Sequence, residues 1–400
     1  MNSKVLILCQ YFYPDQVSSA TLPVQFAEDL AKTGTEVHVY CGYPQEYYKA
    51  GAVSKTELYK GINIHRVQYT KFNNKSKVGR LLNFFSFFNA ILLRLPQFFS
   101  FKKIVVYSNP PILPFIAYLI QKLSGAHFMF VLYDVYPENA ILIKAVNKTS
   151  ILVKVMNYMN KRIYKSAARI IALGTEMQDF LIYKKNVAKE KITVVPNWYD
   201  GKQVLEKVNN KEFLKLRSRY RLVLLYSGNM GLMQDMKVLI HTAKLLKNND
   251  DICFIFCGGG KKFNTVKENL QKENLSNCYI YEYLTGSDYS DVLQITDVAL
   301  MTLIDGATGL GVPSKSYGYL AAKKPIIAQI SEVTDIARDL QSYHAGIIAR
   351  DAEQFVTNIL DLLESKEKIN AMSLAAYQLF CDKYTRDINT AKYINLVKKL

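Results

Sequence analysis

An apolar run, a helix and a second apolar run, separated by short joints, open the chain, and this order restricts the fold more than any other feature. Residues 4–9 (KVLILC) are apolar after the first lysine, as suits a strand buried on both faces of a parallel sheet. The loop QYFYPDQVSSA follows, then a helix over 21–32 with Leu22, Phe26 and Leu30 on one face. Gly34 ends that helix, and 36–41 form the second strand. Strand, helix and strand with short joints open a doubly wound α/β domain. Further strands are expected at 61–67, 104–107, 127–132, 169–173 and 191–195, with helices at 115–123 and 151–164.

Residues 200–220 are charged and weakly patterned, and a domain boundary is expected there. The alternation then restarts, with strands at 222–226, 251–257, 278–281, 298–303 and 325–328 and a helix at 235–247. A chain of 400 residues also exceeds the usual size of one domain. The expectation is an α/β protein with domains at 1–200 and 201–382. A last helix, within 383–400, crosses back to the first domain.

The charge is uneven. The chain carries +17 overall; residues 1–200 hold 25 Lys or Arg against 12 Asp or Glu, and residues 201–400 hold 26 against 22. Between 58 and 133 there are ten basic residues and no acidic one. Such a field suits nucleic acid, anionic lipid or a phosphorylated substrate. Within it, 71–103 is unusual: six phenylalanines fall between Phe84 and Phe99, with Arg80, Arg94, Lys102 and Lys103 around them. Asn83, Ser86, Asn89 and Arg94 interrupt the run. Two readings stand, a buried helix of a large core and a helix lying on a membrane face with its basic residues toward anionic headgroups. The first residues, MNSKVLILCQ, suit a strand and not a signal peptide, and no run of 18 uncharged apolar residues occurs. The six cysteines are scattered without metal spacing and read as reduced thiols of a cytosolic protein.

Candidate site residues cluster after strands. GLGVPSKSYGYLAAKKPIIA (309–328) reads as a glycine-rich loop, a short helix and a strand. Gly309 and Gly311 permit close approach of backbone to a ligand. Pro313 can open the helix and Ser314 can cap it. Free N–H groups at that helix start, with the charge of Lys315, suit a diphosphate. SGNMG (227–231) and GGGKK (258–262) leave two neighbouring strands, so Gly228, Asn229, Gly231, Gly260 and Lys261 are candidate nucleotide contacts; an exposed turn explains Lys261 equally well. In the first half, YDVYPE (133–138) leaves a strand with two carboxylates, Asp134 and Glu138. Asp134 is the leading candidate for a catalytic carboxylate or a sugar ligand, with an N-cap as its plain alternative. Thr175 is a candidate helix cap. The first loop lacks GxGxxG, which disfavours a nicotinamide dinucleotide, and no metal ligand set is evident.

Five blocks in order resemble the large retaining glycosyltransferase family called family 4: QYFYPDQVSSA, YDVYPENA, VVPNWYD, YSGNMGLMQD and GLGVPSKSYGYLAAKKPIIA. Within it the chain looks like the lipopolysaccharide, colanic-acid and capsule branch, which includes L-fucosamine transferases. The resemblance implies two Rossmann-like domains facing across a cleft (the GT-B type), with the nucleotide sugar on the second domain and the acceptor on the first. It places Gly231, Ser314 and Lys315 near the donor diphosphate. It implies no metal and no cofactor beyond the donor substrate, a UDP-sugar, with an N-acetylated amino-deoxysugar among the candidates. The sequence departs from the family at four places, one of them an active-site histidine of the first domain that is missing, with Tyr133 or Asp134 at its place after the strand 127–132. The two family glutamates fall on Leu310 and Gly318, and a family glycine falls on Lys323. Asp297 or Glu282 are possible substitutes for the lost ribose contact.

The leading expectation is therefore transfer of a sugar, with retention, to a lipid-linked (undecaprenyl-diphosphate) monosaccharide or oligosaccharide. The setting would be the cytoplasmic face of the cell membrane, in O-antigen or capsule synthesis. Alternatives are a soluble acceptor, or a non-catalytic protein that binds anionic lipid or nucleic acid. Nucleic acid is not expected as a partner, because known basic-module motifs are absent.

Overall fold

The computed structural model describes residues 4–44, 53–73, 76–201 and 207–400. The chain divides into two compact units. The first comprises Met1–Pro196, Gly309–Val312 and Arg386–Leu400, and the second Asn197–Thr308 and Pro313–Thr385. Lys75, and 202–206 of the expected boundary, lie outside the described residues. The division falls at Pro196, a little before the charged stretch; the helix Lys211–Arg219 in that stretch already packs Phe213 and Leu216 into the second unit.

The first unit is built on an eight-stranded sheet: β1 (Lys4–Leu8), β2 (Glu36–Gly42), β3 (Thr56–Tyr59), β4 (Ile62–Val67), β5 (Lys103–Tyr107), β6 (His127–Val131), β7 (Arg169–Ala172) and β8 (Ile192–Val194). Their order is 3-4-2-1-5-6-7-8. All pairs are parallel except β3 with β4. The strand order reverses between β1 and β5, the position where open α/β sheets bind ligands at their carboxyl ends. Val5–Leu8 are fully buried, which accounts for the unbroken apolar run at the start of the chain. The hairpin β3–β4 was not foreseen. Its turn is Lys60-Gly61, with φ of 48° and 81°, the pattern of a tight two-residue hairpin in which Lys takes the place usually held by Asn or Asp.

The phenylalanine-rich segment forms a helix buried on one side and exposed on the other. The helix Lys77–Leu92 buries Asn83, Phe87 and Ile91, and Phe98 and Phe101 follow them into the core. Asn83 is polar yet buried because it ties down the preceding segment: its Nδ2 donates to Phe72 O at 2.9 Å, and its Oδ1 accepts from Phe72 N at 2.9 Å. Val78, Leu81, Leu82 and Phe85 lie three and four residues apart and form an exposed apolar stripe on the other side. Among the described residues, no helix is long and apolar enough to cross a membrane.

The C-terminal helix Arg386–Lys398 belongs to the first unit and packs on the helix Ser18–Lys32, with Tyr393 and Phe26 ring centroids 5.4 Å apart. Arg386 anchors it, with Nε 2.8 Å from Asp29 Oδ2 and Nη2 2.8 Å from both Asp29 Oδ1 and Glu28 Oε2. Burial alone would raise the two carboxyls. Hydrogen bonds from Lys60 and Arg386 to Glu28, and from Arg386 and Lys32 to Asp29, hold both below the usual carboxylate range. A depressed carboxylate stabilises the fold at neutral pH, and that contribution is lost as the pH falls through its folded value. Arg386→Ala is expected to cost about 2 kcal/mol, less than a fully buried pair because some solvent reaches the site. Thermal unfolding at pH 7 checks it, and an unchanged midpoint would show the anchor to be dispensable.

The second unit is a six-stranded parallel sheet: β9 (Leu222–Asn229), β10 (Ile252–Gly259), β11 (Cys278–Tyr281), β12 (Val298–Thr302), β13 (Ile326–Gln329) and β14 (Gly346–Ile348), in the order 11-10-9-12-13-14. Here the reversal falls between β9 and β12. Leu320, Ala321 and Ala322 pack on this sheet, as their small, apolar character predicts. Two expected caps are corrected. Ser314 takes the cap position of the helix Lys315–Ala321 in a helical conformation and its side chain makes no capping bond; instead Ser316 Oγ donates to Pro313 O at 2.9 Å. Thr175 is the first residue of its helix, and Gly174 precedes it as the cap position.

Candidate active site

In the second unit, two glycine turns leave β9 and β10 side by side and interlock. Met230 N donates to Gly259 O at 2.6 Å and Lys262 N to Met230 O at 2.8 Å. The Asn229 side chain lies between Gly231 and Gly260: a Cβ on either glycine would collide with it. Gly228, Gly258 and Gly260 have φ of 121°, 146° and 113°, and a Cβ on Gly258 would meet the Gly228 backbone. These glycines are thus required by the turns themselves, before any ligand is considered. Gly231 N donates to Gln234 Oε1 at 3.0 Å. Lys262 Nζ is tied to Gln234 O at 2.5 Å, whereas Lys261 is exposed.

Lys315 lies beside the first turn. A Cβ on Gly228 would stand 3.5 Å from Lys315 Cε. The residue is partly exposed, but its ammonium nitrogen is buried, 3.6 Å from the centroid of the Tyr226 ring, and has no hydrogen-bond partner. Burial pushes its pKa down to about 7. The face of Tyr226 partly offsets that push, because a ring face attracts a cation. A buried unpaired ammonium is costly, and a phosphate oxygen would relieve it. The helix it starts runs only from Lys315 to Ala321, so the side-chain charge outweighs the helix dipole.

Pro313 is buried, Ser314 exposed. Gly309–Val312 belongs to the first unit. Leu310 O accepts from Val135 N at 2.9 Å, and a Cβ on Gly311 would stand 3.0 Å from Asp134 Oδ1. Asp134 does not cap the helix Glu138–Leu142, whose cap position is Pro137; its Oδ1 accepts from Asn139 Nδ2 at 2.9 Å. Its side chain reaches solvent, yet the protein packed around it pushes its carboxyl up to about 6, against the pull of the Asn139 hydrogen bond. Glu138 is differently placed: its Oε1 is paired with Lys185, which also donates to Asn157 Oδ1 at 3.1 Å.

At the departures from the family pattern, a Cβ on Gly318 would lie 3.8 Å from Tyr199 Cε2 and from Tyr289 Oη, so tyrosines border the position of the absent glutamate. Lys323, at the position of the family glycine, has a left-handed backbone with φ 59°. Asp297 is held by Arg217 and by Val223 N at 2.7 Å, at the amino end of β9 and away from the glycine turns. Sequence reasoning missed Tyr226 and Tyr319. Only the position of the second, one turn after Lys315 on a helix, was open to the sequence; its partner was not. Among the described residues, no group of three or more His, Cys, Asp or Glu stands where it would hold a metal.

Two family models match the sequence: Glycosyltransferase Family 4 over residues 20–203 and Glycosyl transferases group 1 over 209–379. The probable glycosyltransferase WbjE of Pseudomonas aeruginosa is 28% identical over 241 residues, 60% of this chain and 60% of that protein, so less than two thirds of that relative is spanned. WcaI of Escherichia coli K12, named for colanic acid biosynthesis, is 23% identical over 358 residues, 85% of this chain and 86% of its own. Among solved structures, HepE of Anabaena in complex with UDP and glucose matches 100% of both chains with a TM-score of 0.73 at 13% identity. The two Rossmann-like units have the GT-B fold of that solved structure, and two glycosyltransferase family models, each over less than half of the chain, mark it as similar to glycosyltransferases. The first half is family-4-like, and of the two relatives one is named for colanic acid biosynthesis.

Proposed function

We propose that the protein transfers a sugar, with retention, from a UDP-sugar to a lipid-linked sugar diphosphate in bacterial surface polysaccharide synthesis. The observation that carries this reading is the Lys315 ammonium, buried without a hydrogen-bond partner beside the Gly228 turn. An anion of two phosphates supplies the acceptors it lacks, and Lys315 then stabilises the charge that grows on the diphosphate as the sugar bond breaks. Gly228, Asn229, Gly231 and Gly260 shape the nucleotide side; Asp134 faces the acceptor. The name of WbjE supports glycosyl transfer, that of WcaI supports polysaccharide synthesis, and the UDP of the HepE complex supports a uridine donor. An N-acetylated amino-deoxysugar is the proposed donor sugar. The enzyme attaches peripherally to the cytoplasmic face of the membrane through the exposed stripe Val78, Leu81, Leu82 and Phe85.

Isothermal calorimetry of the full chain with UDP, GDP and UDP-GlcNAc is the direct test. Uridine nucleotides are expected to bind and to raise the unfolding midpoint, because a ligand of the folded state must stabilise it. No heat with any nucleotide would sink the proposal. Incubation of a binding donor with membrane lipid extract, followed by NMR of the product anomer, decides retention. Sedimentation with anionic and zwitterionic vesicles decides the attachment.

A further inference from the structure

The parallel ladder between β12 and β9 ends early. Its register covers Val298 with Leu224 and Ala299 with Leu225 and goes no further, while β10 stays paired with β9 as far as Asn229. In a parallel strand, alternate residues direct both backbone groups to the same neighbour. Val223 accepts from Asp297 N at 2.9 Å, and that places Val223, Leu225 and Ser227 on the β12 side. Ser227 is therefore the first residue of this edge whose N–H and C=O have lost their strand, one position before Gly228. Buried backbone groups left in that state are rare, because each costs free energy.

The hydroxyl of Tyr319 takes both. It accepts from Ser227 N at 2.6 Å and donates to Ser227 O at 3.0 Å, and the whole side chain is buried. Tyr319 lies on the helix Lys315–Ala321, four residues after Lys315, so the two side chains leave the same helix face. Replacing a strand by a tyrosine at this point fixes the helix to the exit of β9 and, with it, the approach of Lys315 to Tyr226 and Gly228.

We infer that Tyr319 is the positioning residue of the anion site: by completing the β9 ladder at Ser227, it sets where Lys315 stands relative to the Gly228 turn. The inference rests on the donor reading proposed above, but only for the identity of the anion. Tyr319 touches no ligand itself. It acts through Lys315, and that relation separates it from a residue that merely holds the fold.

A double-mutant cycle tests it, with wild type, Tyr319→Phe, Lys315→Met and the double variant titrated with UDP and with inorganic pyrophosphate at pH 7. Tyr319→Phe is expected to weaken binding about tenfold in the wild-type background and less than about twofold once Lys315 is gone, since residues that act as a unit are not additive. An equal loss in both backgrounds would reduce Tyr319 to a structural part, and no loss in the first would overturn the inference outright. If pyrophosphate binds and UDP does not, the uridine donor fails while the cycle, run with pyrophosphate, still decides the role of Tyr319. If neither binds, both readings fall. Should Tyr319→Phe not fold, a fluorotyrosine placed at 319 keeps the shape and weakens the acceptor. The same ordering at smaller amplitude is then expected, and an affinity equal to wild type would overturn the inference.

Discussion

Lys315→Ala is expected to lower turnover by about 100- to 1000-fold, the usual loss when one charge-stabilising donor is removed from a leaving group. The side chain stands beside the Gly228 turn with its ammonium buried and without a hydrogen-bond partner, held only against the Tyr226 ring face. Its effect on stability should have the opposite sign. Burial lowers the lysine pKa to about 7 in the folded chain. As the pH falls from the ordinary lysine range, the unfolded chain takes up the proton first, and the fold loses stability until the folded group is also protonated near pH 7. Lys315→Met, which keeps the packing on Tyr226 and removes the charge, is therefore expected to raise the unfolding midpoint at pH 7 while losing donor binding. UDP affinity in the wild type should fall as the pH rises through the same range, because the neutral amine no longer attracts phosphate. Steady-state kinetics, calorimetry across pH 6–9 and thermal unfolding check the three statements. Wild-type turnover in Lys315→Ala would remove the donor assignment.

The parts of the fold that sequence reveals are those decided by a single period or a single apolar run. β1 and β9 are buried on both faces and are legible as such. The hairpin β3–β4 is not, because its Lys60-Gly61 turn depends on a lysine in a left-handed conformation that composition does not announce. The helix Lys77–Leu92 defeats a choice between core and surface: Phe87 and Ile91 point one way and Leu82 and Phe85 the other, and Asn83 sits among the buried residues because it bonds to the Phe72 backbone. For the site, the glycines of 228–231 and 258–260 were legible as turns, and Lys315 as a charge at the start of its own helix; that it stands beside Gly228 is shown only by the fold. The glycines of 309–311 suggest a phosphate loop, and the fold adds what the sequence did not show: Leu310 bonds to Val135 and Gly311 leaves room for the Asp134 carboxylate, contacts set by a partner far away in sequence. Tyr319 is of the same kind: its partner is a backbone edge that exists only because β12 stops pairing with β9.

Asp134→Asn is expected to reduce transfer by about 1000-fold with UDP affinity within twofold of wild type, the signature of a group that handles the acceptor hydroxyl and not the nucleotide. The carboxylate is open to solvent at the carboxyl end of β6, and the protein around it raises its pKa to about 6. A base of that strength is mostly ionised at neutral pH and can still take up a proton. Activity should accordingly rise with pH through about 6, and the Asn variant should lose that limb while keeping the rest of its profile. The stability argument again separates a catalytic from a structural role. A carboxyl whose folded pKa is raised is a burden to the fold once it ionises, so the wild type gives up some stability as the pH climbs from the unfolded carboxylate range to about 6. Asparagine removes the charge and keeps an oxygen to accept from Asn139 Nδ2, so the variant should unfold at pH 7 no earlier than the wild type. Single-turnover kinetics, UDP calorimetry and thermal unfolding on the same preparation decide it. If UDP affinity and midpoint fall together with activity, Asp134 supports the fold, and the proton acceptor must be sought elsewhere. Glu138 would not replace it, because its Oε1 is committed to Lys185.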